Sequence, residues 1–133
     1  NGRPVLRFDG INDFMSFANL DSIRTVFILF KHRTGTSTSY PPILGHSVYY
    51  DFVGNTGNLL FNYPYLSPYI QSGIVKLNKE IVNPQTIAKP TQYSLLSIIS
   101  SGLLRANYIT NDRNTFGYWD GDYAEILIFN KGL

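Results

Sequence analysis

The sequence predicts an all-β domain, a sandwich or barrel of short antiparallel strands. Three observations carry that reading. Apolar and polar residues alternate with a period of two almost throughout. Turn signals rich in Gly, Pro, Asn, Asp and Ser separate the alternating runs. No segment holds the i, i+3, i+4, i+7 spacing of an amphipathic helix over a useful length. A helical turn is expected only at Leu20 to Arg24.

Taken in order, Pro4 to Phe8 reads as a strand and Asp9-Gly10-Ile11-Asn12 as a turn. Asp13 to Phe17 reads as the next strand. Arg24 to Lys31 is apolar on both faces, as expected of a central strand covered on both sides. His32 to Pro42 reads as a loop. Ile43-Leu44, Val48 to Val53 and Leu59 to Asn62 read as short strands around the turn Gly54-Asn55-Thr56-Gly57. Tyr63, Tyr65 and Tyr69, with Pro64 and Pro68, mark an aromatic loop. Ile74 to Val82 reads as a hairpin turning at Asn78-Lys79. Asn83-Pro84 and Lys89-Pro90 punctuate the next connection. Tyr93 to Ser100, Arg105 to Thr110 and Tyr123 to Asn130 are the remaining strands, with a polar loop at Asn111-Asp112-Arg113-Asn114. The total is about ten strands, a number that fits a sandwich or barrel.

The 133 residues fit one domain, residues 1–133. Ten Tyr, nine Phe and one Trp supply ample core material. No apolar run approaches the roughly 20 residues that cross a bilayer, so membrane insertion is not expected. The chain opens on Asn1-Gly2-Arg3-Pro4 and closes on Lys131-Gly132-Leu133, which reads as a piece of a larger protein. Its formal charge is only +2, and its basic residues are scattered apart from Lys31-His32-Arg33. A nucleic-acid binder gathers such charge into a stripe, so no nucleic-acid partner is expected. Cysteine is absent, which removes thiolate metal sites, thiol catalysis and disulfides.

Both ends carry a motif. Leu6-Arg7-Phe8-Asp9-Gly10-Ile11-Asn12-Asp13-Phe14-Met15 resembles the "LRFDGxNDY" opening of laminin-G-like, concanavalin A-like jelly-roll domains. Trp119-Asp120-Gly121-Asp122-Tyr123-Ala124-Glu125-Ile126-Leu127-Ile128-Phe129-Asn130 resembles their "FDGDIAEVLIYN" close. Thr25 to Lys31, Ile43-Leu44-Gly45 and Asn111-Asp112-Arg113 resemble landmarks between them, in order. The resemblance implies a two-sheet antiparallel β-sandwich whose first and last strands lie side by side. It also implies residence in large extracellular, cell-surface or virion proteins, next to neighbouring domains, with a glycan or protein partner. Fold alone does not choose between those partners.

Candidate sites follow from residue chemistry. Flat sugar faces stack on aromatic rings, and exposed loops carry function. Tyr40, Tyr63, Tyr65, Tyr69, Tyr118 and Trp119 are therefore candidate ligand-binding residues, with Tyr49 and Tyr50 as further candidate rings, beside the bland readings that most of the tyrosines cap the core and that Trp119 packs between the sheets at a strand end. Asp9, Asp13, Asp120 and Asp122 would approach one another if the end strands pair, as the resemblance implies. Calcium takes six to eight oxygen ligands, so a calcium site is chemically possible there. The alternative is that these are turn residues bonding their own backbone. Glu125, in line with Tyr123, Leu127 and Phe129 between apolar faces, is expected to be partly buried and paired with an arginine, of which Arg7, Arg105 and Arg113 are candidates. His46 is expected to be a hydrogen-bonded packing residue.

Catalysis is not expected. The chain has two Glu, Glu80 and Glu125, on different strands, so the paired carboxylates of a retaining glycosidase are missing. It has no Gly-x-Ser-x-Gly elbow and no phosphate-binding glycine loop. Two readings remain: a non-catalytic carbohydrate-binding or adhesion module, and a structural protein–protein module such as a decoration, fibre or spacer domain.

Overall fold

The computed structural model describes residue 2, residues 4–113 and residues 117–133. Asn114, within the predicted polar loop, lies outside them, as do Asn1 and Arg3 of the opening segment. The fold is all-β and antiparallel. Its strands are β1 (Leu6–Asp9), β2 (Met15–His32), β3 (Leu44–Gly45), β4 (Ile74–Leu77), β5 (Glu80–Ile81), β6 (Ser94–Ile109) and β7 (Asp120–Phe129). They form one hydrogen-bonded sheet in the order β1-β7-β2-β6-β4-β5, with β3 attached to β6. The first and last strands are neighbours, Leu6 opposite Tyr123 and Asp9 opposite Asp120.

Two long strands replace four predicted short ones. β2 runs through Leu20 to Arg24, where a helical turn was expected. Its register against β6 shifts between Ser16 and Leu20, between Leu20 and Ile23, and between Ile23 and Thr25. Such bulges bend a strand without ending it. β6 likewise passes through Ser101-Gly102. The hairpin at Asn78-Lys79 forms as expected. Both residues take positive φ, 51° and 78°. Val48 to Val53 is not a strand. The Asp51 carboxylate accepts the Arg105 N–H at 2.7 Å, and the Arg105 guanidinium lies 4.0 Å from the Tyr49 ring centre. His46 Nδ1 accepts the Val48 N–H at 2.9 Å. The Val48 N–H is thus satisfied by a side chain two residues away, without a ladder partner.

Alternation along the strands sorts side chains to two faces. Val26, Ile28 and Phe30 of β2, Leu96 and Ile98 of β6 and Val75 of β4 point inward and are buried. The long connection between β2 and β6 covers them with Ile43, Phe52, Leu60, Phe61, Leu66 and Ile87, all in the same core cluster. This layer is irregular, with isolated bridges at Gly54–Phe61 and Leu59–Ala88 and a four-residue helix, α1 (Pro68–Gln71). Lys89 ties it down. Its side chain is buried, and the ammonium donates to the carbonyls of Asn55, Gly57 and Leu59 at 2.8, 2.7 and 2.7 Å. Close approach also requires glycine. A Cβ on Gly45 would stand 1.7 Å from the Asn111 carbonyl oxygen.

Candidate functional site

The site is built from the covering layer. Tyr40, Tyr50, Val53, Asn62, Tyr65 and Asp112 line a cleft of about 230 Å³. Each wall has a local cause. Gly54 packs so tightly under the Tyr40-Pro41-Pro42 segment that a Cβ there would stand 2.0 Å from the Pro41 carbonyl oxygen. Val53 and Asn62 are joined by the Asn62 N–H donating to the Val53 carbonyl at 3.1 Å. The Asn62 carbonyl then accepts the N–H groups of Tyr65 and Leu66, both at 3.0 Å, closing a tight 3₁₀ turn at Tyr63–Tyr65. Leu66 is buried, so the turn is anchored and Tyr65 is thrust outward at 68% exposure. The Arg113 guanidinium lies 3.5 Å from the Tyr50 ring centre and donates to the Val48 carbonyl at 3.3 Å. Arg113 thereby steadies the ring from one side, as guanidinium–aromatic stacking does. Asp112 is buried at the base of this loop.

Of the six aromatic candidates, Tyr40 and Tyr65 come together, joined by Tyr50. The other four are placed elsewhere. Tyr63 packs half-buried against the core. The Tyr69 ring lies over Gly102, where a Cβ would stand 2.4 Å from its edge. Tyr118 lines a separate polar cleft with Asp9, Asp120 and the hydroxyl-rich segment Thr34 to Ser39. Trp119 corrects the expectation of a binding residue. It is fully buried, its indole N–H donates to the Lys31 carbonyl at 3.1 Å, and its ring packs against Phe30 and Tyr123. Tyr50, one of the further candidate rings, and Asn62, which sequence reasoning did not select, complete the cleft. The signal for Asn62 was only proximity to the Gly54-Asn55-Thr56-Gly57 turn.

The four aspartates of the possible calcium site do not form a metal-ligating group. Among the described residues no three metal-ligating side chains of the His, Cys, Asp and Glu types are grouped. Asp9 accepts the Ile11 N–H at 2.8 Å, and Asp13 accepts the Asp9 N–H at 3.2 Å, so both serve the turn. Asp120 is 2.9 Å from Arg33 Nε, a Coulombic contact outside directed hydrogen-bond geometry. Asp122 is the buried member. It accepts Arg7 Nε and Nη2 at 2.7 and 3.1 Å and the Tyr93 hydroxyl at 3.0 Å, and Lys31 Nζ lies 3.5 Å away. These donors, Arg7 foremost, hold its pKa down at about 2 against the opposing effect of burial.

Glu125 is exposed, contrary to expectation. β7 advances two residues, Glu125 to Tyr123, while β2 advances one, Leu29 to Phe30. The bulge at Ala124 reverses the facing of the strand. Tyr123 therefore points into the core and donates its hydroxyl to the Ile43 carbonyl at 3.2 Å, while Glu125, Leu127 and Phe129 point out. Arg7 pairs with Asp122 instead of Glu125, and Arg113 stacks on Tyr50. His46 is a buried packing residue whose Nε2 lies 2.6 Å from Asn19 Oδ1. No family model matches this chain, and neither the curated proteins nor the solved structures contain a match.

Proposed function

We propose that this chain is a non-catalytic carbohydrate-binding or adhesion module of a larger secreted, cell-surface or virion protein, a variant of the laminin-G-like, concanavalin A-like sandwich. The observation that carries the reading is the cleft between Tyr40, Tyr50 and Tyr65, with Asn62 and Asp112 beside the rings. Sugar recognition needs flat aromatic surface for the C–H faces of a pyranose and a few fixed polar groups for its hydroxyls. The cleft supplies both on a rigidly anchored loop layer. Its size suits one or two sugar rings, so the expected affinity is modest, with a Kd on the order of 0.1–1 mM.

A glycan array followed by NMR titration of each hit tests this. Saturable binding that Tyr65→Ala and Tyr40→Ala each weaken about tenfold, with Tyr69→Ala unchanged, supports the reading. Binding that survives both cleft substitutions, or a blank array confirmed by an unperturbed NMR spectrum, overturns it.

A further inference from the structure

We propose that the outer face of the sheet is the interface of a symmetric dimer of this chain. The proposal stands apart from the glycan cleft, which belongs to the covering layer on the other side. The central strand Arg24 to Lys31 is apolar on both faces, yet only its inner face is covered. On the outer face the pairing places side chains in rows. Leu127 lies beside Phe27, Leu29 beside Leu95, and Phe129 lies in the row that ends at Ile74. Leu127 is 44% exposed, Ile74 46% and Leu95 36%. Phe27 and Phe129 meet edge to face at 6.1 Å, while Ser97 and Lys76 complete the row of Leu127 and Phe27 and the buried Thr25 lies in the row of Phe129. One end of the face is closed by the terminal residues, since Thr25 Oγ1 donates to the Lys131 carbonyl at 2.8 Å. The other end is closed by the Arg7, Asp122, Lys31 and Tyr93 network. Exposed apolar patches of a few hundred Å² are often functional surfaces.

The charges on its flanks say what covers it. Glu125 stands on β7, on one side of the stripe, and Lys76 on β4, on the other. No ion pair joins either of them to another described residue. A two-fold axis lying in the interface, parallel to the strands and between β2 and β6, brings β7 of one copy over β4 of the other. Glu125 of each copy then comes within side-chain reach of Lys76 of its mate, one row along, while Leu29 faces Leu95 and Phe129 faces Ile74 across the interface. This is the isologous arrangement, one patch serving both copies. Sheets pack face to face in this way about 10 Å apart. Four strands at about 4.8 Å spacing and three rows of about 7 Å give a flat footprint of roughly 400 Å², below the roughly 800 Å² per partner of a tight complex. The dimer is therefore a weak one that forms in the micromolar to millimolar range.

Sedimentation velocity of the purified chain from about 10 µM to about 1 mM spans that range. The expected result is a concentration-dependent monomer–dimer equilibrium. Leu95→Glu weakens it at least tenfold with an unchanged circular dichroism spectrum; Ile74→Glu serves the same end if the first variant fails to fold. Glu125→Lys and Lys76→Glu each weaken it about twofold to fivefold, as exposed ion pairs do, and the double exchange restores it. A chain that stays monomeric to about 1 mM overturns the proposal, as does a dimer indifferent to Leu95→Glu and Ile74→Glu or one that the double exchange fails to restore.

Discussion

The Lys89 ammonium donates to the Gly57 carbonyl at 2.7 Å, and the same group reaches the carbonyls of Asn55 and Leu59. No carboxylate is among its hydrogen-bond partners. One buried cation thus satisfies three backbone acceptors in the layer that carries the cleft. Replacing it with a shape-matched apolar chain, Lys89→Met, removes that donor from the Asn55 and Leu59 carbonyls, while Gly57 keeps the Ser37 N–H at 2.9 Å. The expected loss is about 2–4 kcal/mol of stability at pH 7, read from urea melts.

The same residue gives a pH signature. Burial pushes the Lys89 pKa from 10.5 to about 8. Between those values the unfolded chain binds a proton that the folded chain does not, so this group's contribution to stability rises with pH across the window. The deficit of Lys89→Met against the native chain should therefore grow between pH 8 and pH 10. A deficit that stays flat means that the buried lysine does not titrate there.

His32 acts on the acid side. It is buried, its Nδ1 accepts the Gly35 and Thr34 N–H groups at 3.0 and 3.3 Å, and its Nε2 lies 3.1 Å from Ser37 Oγ. An Nδ1 that accepts from the backbone must be unprotonated, which assigns the proton to Nε2. Burial, followed by the charge of Lys89, lowers its pKa from 6.5 to about 4. The stabilising contribution is complete above pH 6.5 and is lost as the pH falls through the folded value. About 3 kcal/mol should disappear between pH 7 and pH 4. The His32 C–H resonances in a proton NMR titration give the check, and an inflection near 6.5 would sink the assignment.

Asp122 titrates lower still. Its pKa of about 2, set first by the Arg7 hydrogen bonds, lies below the ordinary 3.8. Stability from this carboxylate is present above pH 3.8 and is lost as the pH falls through about 2. Asp122→Asn should cost about 2 kcal/mol at neutral pH and almost nothing near pH 2. Chemical melts at the two pH values distinguish this from a uniform packing defect, which would persist at both.

The sheet was legible because alternation and turn chemistry act locally. Leu6 to Phe8, the hairpin at Asn78-Lys79 and the final strand all declare themselves in neighbouring residues. The bulge at Ala124 does not. A single unpaired residue reverses the facing of the strand, so Glu125, expected to be partly buried because both faces are apolar, does not share the buried face of Tyr123 and lies outside. The covering layer was also opaque. Around Tyr49 and Asp51, His46 Nδ1 accepts the Val48 and Tyr49 N–H groups and the Asp51 carboxylate accepts the Arg105 N–H, pairings set by side-chain geometry or by partners remote in sequence. The cleft was half legible, since Tyr40 and Tyr65 stand in Pro-rich segments. Asn62 and Asp112 join them only through the fold.

Gly54 links that fold to the proposed function, and one methyl group probes the link. The Pro41 carbonyl oxygen would stand 2.0 Å from a Cβ at this position, a separation no real pair of atoms holds. In Gly54→Ala the Tyr40-Pro41-Pro42 segment must move outward or the layer beneath must shift. Overpacking of this kind costs about 1–3 kcal/mol. Tyr40 should leave its place opposite Tyr50 and Tyr65, so a glycan that binds the native cleft should bind Gly54→Ala at least tenfold more weakly. Gly57→Ala is the companion variant. Gly57 has positive φ but nothing within 4 Å of its Cβ position, so it carries backbone strain without the clash. A comparable melting shift in both variants, with glycan affinity lost only in Gly54→Ala, ties the loss to the position of Tyr40. Equal affinity in the two would separate Tyr40 from the cleft's ligand.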